Sequence, residues 1–274
     1  MNRRHLLTMM GVSGAALMCT GFTWPFAEKE RRTSLLIAGA TSMQPALVSL
    51  VAAFTAKNGH IDAVVEGGGS TPGLIAVQRG AIEIAALTRQ PTRFEETADT
   101  RAFLIAKDAL AIAVHASVPL KTLSFAAVRQ VFQGQVENWR DVGGPDLAIQ
   151  LVHRSDENSV EFSAALQMLL EQDDVPDKAE RVDSDEAMRE MVTARRGAIG
   201  YLSLKDLTAN INVLEIGRVA PSRITVLSGR YPLARPYYLA THGPLSDSVS
   251  GFLAFVRSAA GQDILEREGL IRVY

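Results

Sequence analysis

Residues 35–87 read LLIAGATSMQPALVSLVAAFTAKNGHIDAVVEGGGSTPGLIAVQRGAIEIAAL, and the rhythm of this stretch decides the fold. Residues 35–38 are a short apolar run of strand character, and the apolar spacing over 45–56 is that of a helix. The alternation returns at once, with a strand at 61–65, a helix at 73–79 and a strand at 82–87. Strand, helix and strand in repeated succession predict an α/β fold built on a mostly parallel sheet.

Moving outward, residues 109–114 read as a further strand, followed by a turn-rich segment and a helix over 125–132. A second unit continues with a strand at 148–152, helices at 160–170 and 186–195, and a strand at 198–202. The chain then turns back through a strand at 232–240, helices at 249–259 and 262–268, and a closing strand at 270–273. No internal repeat or low-complexity linker interrupts it.

The 274 residues suit one large domain or two small ones, and 47% hydrophobic with 21% charged residues is ordinary globular composition. A formal net charge of -2 gives no footprint for a nucleic acid partner, so any anion is bound by local geometry. At the start, MNRRHLLTMMGVSGAALMCTGF sets basic residues ahead of an apolar run too short to span a bilayer, and residues 1–27 are expected to be an export signal. Arg3 and Arg4, followed by His5, Leu6 and Leu7, resemble a twin-arginine signal; an ordinary secretory signal is the alternative. Both place the mature chain in the periplasm. Cys19 is the only cysteine, and Ala16, Leu17 and Met18 before it depart from the lipoprotein pattern, so neither a disulfide nor a lipid anchor is expected. No later stretch is long and apolar enough for a membrane span.

Three loops carry the chemistry, each running from a strand into a helix. In the first, Gly39 to Gln44, Thr41 and Gln44 have the spacing of a capping box. In the second, Gly67 to Gly73, Thr71 suits an N-cap and Pro72 the first helical position. In the third, His153 to Ser159, Arg154 stands at a strand end, and Asn158 with Glu161 repeats the capping pattern. Helix N-termini offer unpaired N–H groups and a positive dipole end, which together favour an anion, and an arginine beside one can grip an oxyanion in a forked manner. In α/β folds ligands gather outside the carboxyl ends of strands, where all three loops belong.

Other chemistries fit less well. Pro72 occupies a glycine position of both the dinucleotide fingerprint and the nucleophile elbow, and the P-loop ending Gly-Lys-Ser/Thr is missing. An enzyme using Ser70 or Thr71 as nucleophile lacks a base. His60, His115, His153 and His242 are scattered without ligand spacing, so no metal and no cofactor are expected.

Several ordered segments resemble the phosphate-binding receptors of ABC importers, the PstS-like branch of the type II periplasmic binding proteins. They are AGATSMQP, GGGSTPG, IAKDALAIAV leading into VRQVFQGQVENWRDVGG, RRGAIGYLSL, YPLARPYYL and FLAFVRSAAGQDILEREGLIRV. The resemblance implies a two-lobed fold, with residues 33–112 plus 235–274 as lobe 1, 113–234 as lobe 2, and crossing strands near 109–115 and 235–240. It implies a monomer that binds inorganic phosphate or a similar oxyanion, delivers it to an inner-membrane ABC permease and catalyses nothing. By position, Thr41 and Ser42 match the first phosphate loop, Ser70 and Thr71 the second, and Arg154 the gripping arginine.

Two departures stand out. Leu87, Thr88, Arg89, Gln90 and Pro91 replace Ala-Ser-Asp-x-Pro, putting an arginine without acceptor capacity where an aspartate stands. Two facing arginines would draw sulfate as well as phosphate. Asn158, Ser159, Val160 and Glu161 replace Ser-Gly-Thr-Arg. A protein of the same scaffold with a degenerate pocket, acting in interaction or sensing, is the alternative.

Overall fold

The computed structural model describes residues 33–155, 166–170, 175–209 and 211–274. The export-signal reading of residues 1–27, including Arg3, Arg4 and Cys19, lies outside them. So do Asn158 and Ser159.

The first alternation forms as expected. β1 (Thr33–Gly39) passes through a 3-10 turn at Thr41–Met43 into α1 (Gln44–Thr55), then β2 (Ile61–Glu66), α2 (Ser70–Gln78) and β3 (Ile84–Leu87). β1 pairs in parallel with both β2 and β3, so α1 and α2 are the crossovers that parallel strands require. Leu35 and Ile37 enter one core with Leu47 and Leu50 of α1, while Leu36 and Ala38 pack on the opposite face with Leu74 and Val77 of α2. Covering on both faces explains why residues 35–38 read as an unbroken apolar run.

β4 (Thr100–Val114) follows, then β5 (Thr122–Leu123), α3 (Phe125–Phe132), β6 (Gln150–Arg154), β7 (Glu180–Val182), α4 (Asp185–Ala194), β8 (Ala198–Ser203) and β9 (Asn212–Ile216). The chain ends with α5 (Arg223–Leu227), β10 (Ala234–His242), α6 (Asp247–Arg257), α7 (Ala259–Arg267) and β11 (Ile271–Arg272). The strand order is β2-β1-β3-β10-β4-β8-β6-β7.

β4 starts nine residues before the expected position 109, because Arg101, Lys107 and Asp108 break the apolar run that betrays a strand. Residues 100–109 pair antiparallel with β10, whereas residues 110–114 pair with β8 and β9. The core changes with the partners. Ile105 and Ala106 belong with Leu35, Phe252 and Leu265; Ile112 and Val114 belong with Phe132, Trp139, Met188 and Leu202.

At the changeover Asp108 of β4 faces Arg235 of β10 in register. Both are buried, with Arg235 Nη2 3.4 Å from Asp108 Oδ2 and donating to the Tyr237 hydroxyl at 3.0 Å. Asp108 Oδ1 also accepts the Ala109 N–H at 2.7 Å, so the carboxylate is doubly satisfied, as a buried charge requires.

Of the expected helix at 160–170, residues 166–170 are described and form a π-helical turn. β5, β7, β9 and α5 are too short to leave a periodic trace. Among the described residues no helix is long and apolar enough to cross a membrane.

Candidate anion-binding site

The chain leaves β1 through Gly39, whose φ of 151° belongs to glycine, and a Cβ there would lie 2.1 Å from the Ala86 carbonyl oxygen. The capping box expected of Thr41 and Gln44 does not form. Ala40 and Met43 occupy the N-cap positions of the 3-10 turn and of α1, neither with a side-chain capping bond. The 3-10 turn intervenes and satisfies Met43 N–H through the Ala40 carbonyl at 2.9 Å. Thr41 is exposed and Ser42 is buried. A Cβ on Gly67 would lie 2.9 Å from Thr41 Oγ1 and 3.1 Å from Gln44 Oε1, so the first loop rests against the second.

The second loop is joined to the first by the Gly69 N–H donating to the Gly39 carbonyl at 2.8 Å. Here too the expected cap moves. Gly69 is the N-cap of α2 at φ 93°, so Ser70, not Pro72, takes the first helical position, and Thr71 lies inside the first turn. Glycine alone accepts that backbone angle easily. Gly73 then lets the turn press on β1, since a Cβ there would lie 2.8 Å from both the Ala38 oxygen and Gly39 Cα.

The hydrogen bonds of this turn engage one lone pair on each of its hydroxyls. Ser70 Oγ accepts the Thr88 N–H at 3.1 Å and lies 3.4 Å from Thr88 Oγ1. Thr71 Oγ1 accepts from Arg89 Nη2 at 2.8 Å. Each hydroxyl has one lone pair engaged and can still donate its proton, although Ser70 and Thr88 can also donate to each other. Two donors therefore stand at the N-terminus of α2, where the helix dipole already favours negative charge.

Arg89 is not a bare cation. Its Nη1 and Nη2 each contact Glu95 at 2.6 Å, and Glu95 Oε2 also accepts from Thr92 N and Oγ1, both at 2.9 Å. The Arg89 hydrogen bond, followed by the Thr92 backbone, pulls the Glu95 carboxyl down to about 2, and the same pairing raises Arg89. Glu95 was not singled out in the sequence; its only trace is a carboxylate six residues after Arg89.

Arg154 closes β6 and is buried, its Nη1 held by Asp185 Oδ1 at 2.7 Å and its backbone N–H donating to the Tyr201 hydroxyl at 3.1 Å. β6 runs two residues past the expected end, which puts His153 inside the strand. His153 is fully buried, edge-on to the rings of Phe132 and Tyr201, and burial lowers its pKa to about 4. It packs the site from behind. Asp185 opens α4 after Ser184, whose hydroxyl caps the helix by accepting the Ala187 N–H at 3.1 Å. The sequence reading began this helix at residue 186 and did not single out its cap, and nothing local showed that Asp185 meets Arg154.

The structure thus gathers Thr41, Ser70, Thr71, Thr88 and Arg89 around the start of α2. Arg154 is held separately by Asp185. A cavity of about 160 Å³ lies beside Ser42 of the first loop and is also lined by Asp108, Asp185, Ser203 and Tyr237; neither Arg154 nor the residues gathered at the start of α2 line it.

The phosphate-binding protein PstS of Bacillus subtilis is 29% identical over 253 residues, 90% of this chain and 83% of its own. Among solved structures, an ABC-type phosphate transport receptor from Vibrio cholerae aligns with a TM-score of 0.80 at 24% identity, covering 88% of this chain and 100% of that one. PstS from Borrelia burgdorferi aligns with a TM-score of 0.75 at 24% identity, covering 88% and 99%. Residues 25–260 match the family model of the PBP superfamily domain, and with the strand order and loops described above the chain belongs to that superfamily of periplasmic-binding-protein fold.

Proposed function

We propose that this protein is a receptor that captures inorganic phosphate outside the inner membrane and delivers it to an ABC permease. The observation that carries the reading is the pair of hydroxyls, Ser70 and Thr71, whose acceptor sides are engaged by Thr88 and Arg89 at the N-terminus of α2. Each hydroxyl retains a proton that can be donated to an anion, that of Ser70 by turning from Thr88 Oγ1. The names of the relatives, phosphate-binding protein and phosphate transport receptor, support the choice of ligand. Thr41, Ser42 and Arg154 complete the site, with Asn158 and Ser159 as further ligands from the third loop.

In this reading residues 33–112 plus 235–274 and residues 113–234 are two lobes of a monomer that close on the anion, bending where β4 changes partners. Closure follows from tighter binding by the closed form, and no covalent step is involved. Isothermal calorimetry with inorganic phosphate tests the reading, together with the ion content of the protein as purified. Saturating phosphate is expected to raise the unfolding temperature, because only the folded state binds it. Fractionation of cells carrying Arg3→Lys and Arg4→Lys tests the twin-arginine route, with retention in the cytoplasm as the expected result.

The second reading, an interaction or sensory protein on this scaffold, is favoured by the compensation of both site arginines, Arg89 by Glu95 and Arg154 by Asp185. Absence of any calorimetric or thermal response to phosphate, sulfate and arsenate would select it.

A further inference from the structure

Position 89 offers a guanidinium fork whose two ends serve different groups. Nη1 and Nη2 hold Glu95 at 2.6 Å each, and Nη2 also donates to Thr71 Oγ1 at 2.8 Å. Glu95 is anchored in turn by both Thr92 N and Thr92 Oγ1. The segment 92–95 is thereby fixed beside α2, and Arg89 has few ways to turn toward a ligand without giving up contacts to a carboxylate. Arg89 and Glu95 together carry no net charge. What the pair delivers to the site is a single oriented hydrogen bond onto Thr71.

We infer that Arg89 and Glu95 form a positioning pair, which acts on the anion through Thr71 by occupying an acceptor lone pair of its hydroxyl and committing its proton to the ligand. This inference rests on the phosphate reading above and names the device that orients one of its donors. An uncommitted threonine hydroxyl rotates and can present either its proton or a lone pair. A lone pair facing an anion repels it, so engaging one of the two lone pairs narrows the rotor and removes one unfavourable orientation before binding. Arginine suits the task because it donates without being able to accept.

The test is a double-mutant cycle read by calorimetry with inorganic phosphate, with the thermal unfolding of each variant recorded alongside to separate misfolding from weak binding. The pair is removed as a unit, R89M with E95Q, which leaves the net charge unchanged. It is combined with Thr71→Val and, separately, with Thr71→Ser. Removing the pair is expected to weaken phosphate binding about tenfold with Thr71 or Ser at position 71, and by less than about twofold with Val, since coupled residues are not additive. An equal loss in the Thr, Ser and Val backgrounds overturns the inference, because the pair would then act without the hydroxyl. Wild-type protein that binds no phosphate overturns the receptor reading and this inference with it, a result distinct from additive losses in a protein that binds.

Discussion

Arg154 and Asp185, 31 residues apart in the chain, meet at 2.7 Å between the end of β6 and the first residue of α4. The Arg154 side chain is 7% exposed and that of Asp185 26% exposed, so the carboxylate is the more open partner. Asp185 also borders the cavity that reaches Ser42. An anion approaching Arg154 therefore meets a cation already steered and partly neutralised by a carboxylate.

Arg154→Ala is expected to weaken phosphate binding by at least about 2 kcal/mol, because it removes a charge-assisted contact and leaves Asp185 facing the anion. Lysine restores the charge but not the fork, and recovers only part. Adding Asp185→Asn to the alanine variant should regain a portion of the loss. Calorimetry on the four proteins decides it, and unchanged affinity in Arg154→Ala removes this residue from the site.

Selectivity between anions should turn on Glu95. The sequence-based expectation of two arginines drawing sulfate took no account of Glu95, which meets both Nη atoms of Arg89 at 2.6 Å. Glu95→Gln exposes the Arg89 charge and is expected to raise sulfate affinity by about 0.5–1 kcal/mol, a partly exposed pair giving no more. Competition of sulfate against phosphate measures the change. A decrease in sulfate affinity would mean that the carboxylate helps to hold the anion.

Gly73→Ala should act on fold and binding together. The added methyl meets backbone atoms, the Ala38 oxygen and Gly39 Cα, which cannot rotate away. Overpacking of this kind costs about 1–3 kcal/mol, read as a lower urea midpoint. The start of α2 must lift from β1, so phosphate affinity should fall as well.

His153 makes the protein acid-sensitive. Burial lowers its pKa to about 4 from an unfolded value near 6.5, so between those values the unfolded chain binds a proton that the folded chain refuses. Stability therefore falls as pH drops through this window, by about 2 kcal/mol between about pH 7 and pH 5 from this group. Urea titrations at the two pH values should show the wild type losing more than His153→Gln. Equal losses would mean that His153 is protonated in the folded state.

The elements that sequence rhythm reveals are helices with periodic one-sided burial and strands buried along an unbroken apolar run. The helix expected over 125–132 forms as Phe125–Phe132, with Val128, Val131 and Phe132 buried and Ser124 capping it. The strand expected over 198–202 gains only Ser203. Caps were harder to place at the site, because Gly39 and Gly69 adopt backbone angles that redirect the chain before the helix starts. The charge partners were hidden for another reason. Arg89 with Glu95 and Arg154 with Asp185 are made by turns and strand pairing, and no local pattern of residue types encodes them.

The order of synthesis runs against the order in which the two cores can close. Leu35, Ile37 and Leu47 emerge from the ribosome early, yet their core is closed by Leu239 of β10, Phe252 of α6 and Leu265 of α7 near the far end of the chain. The core around Ile112, Phe132, Met188 and Leu202 needs little from beyond residue 233. A nascent chain can therefore bury its middle while its beginning waits, with β3 unpaired on the side that β10 will take. The core of the first strands thus cannot close until residues 239–265 have been made, so the first half of the molecule depends on segments synthesised long after it.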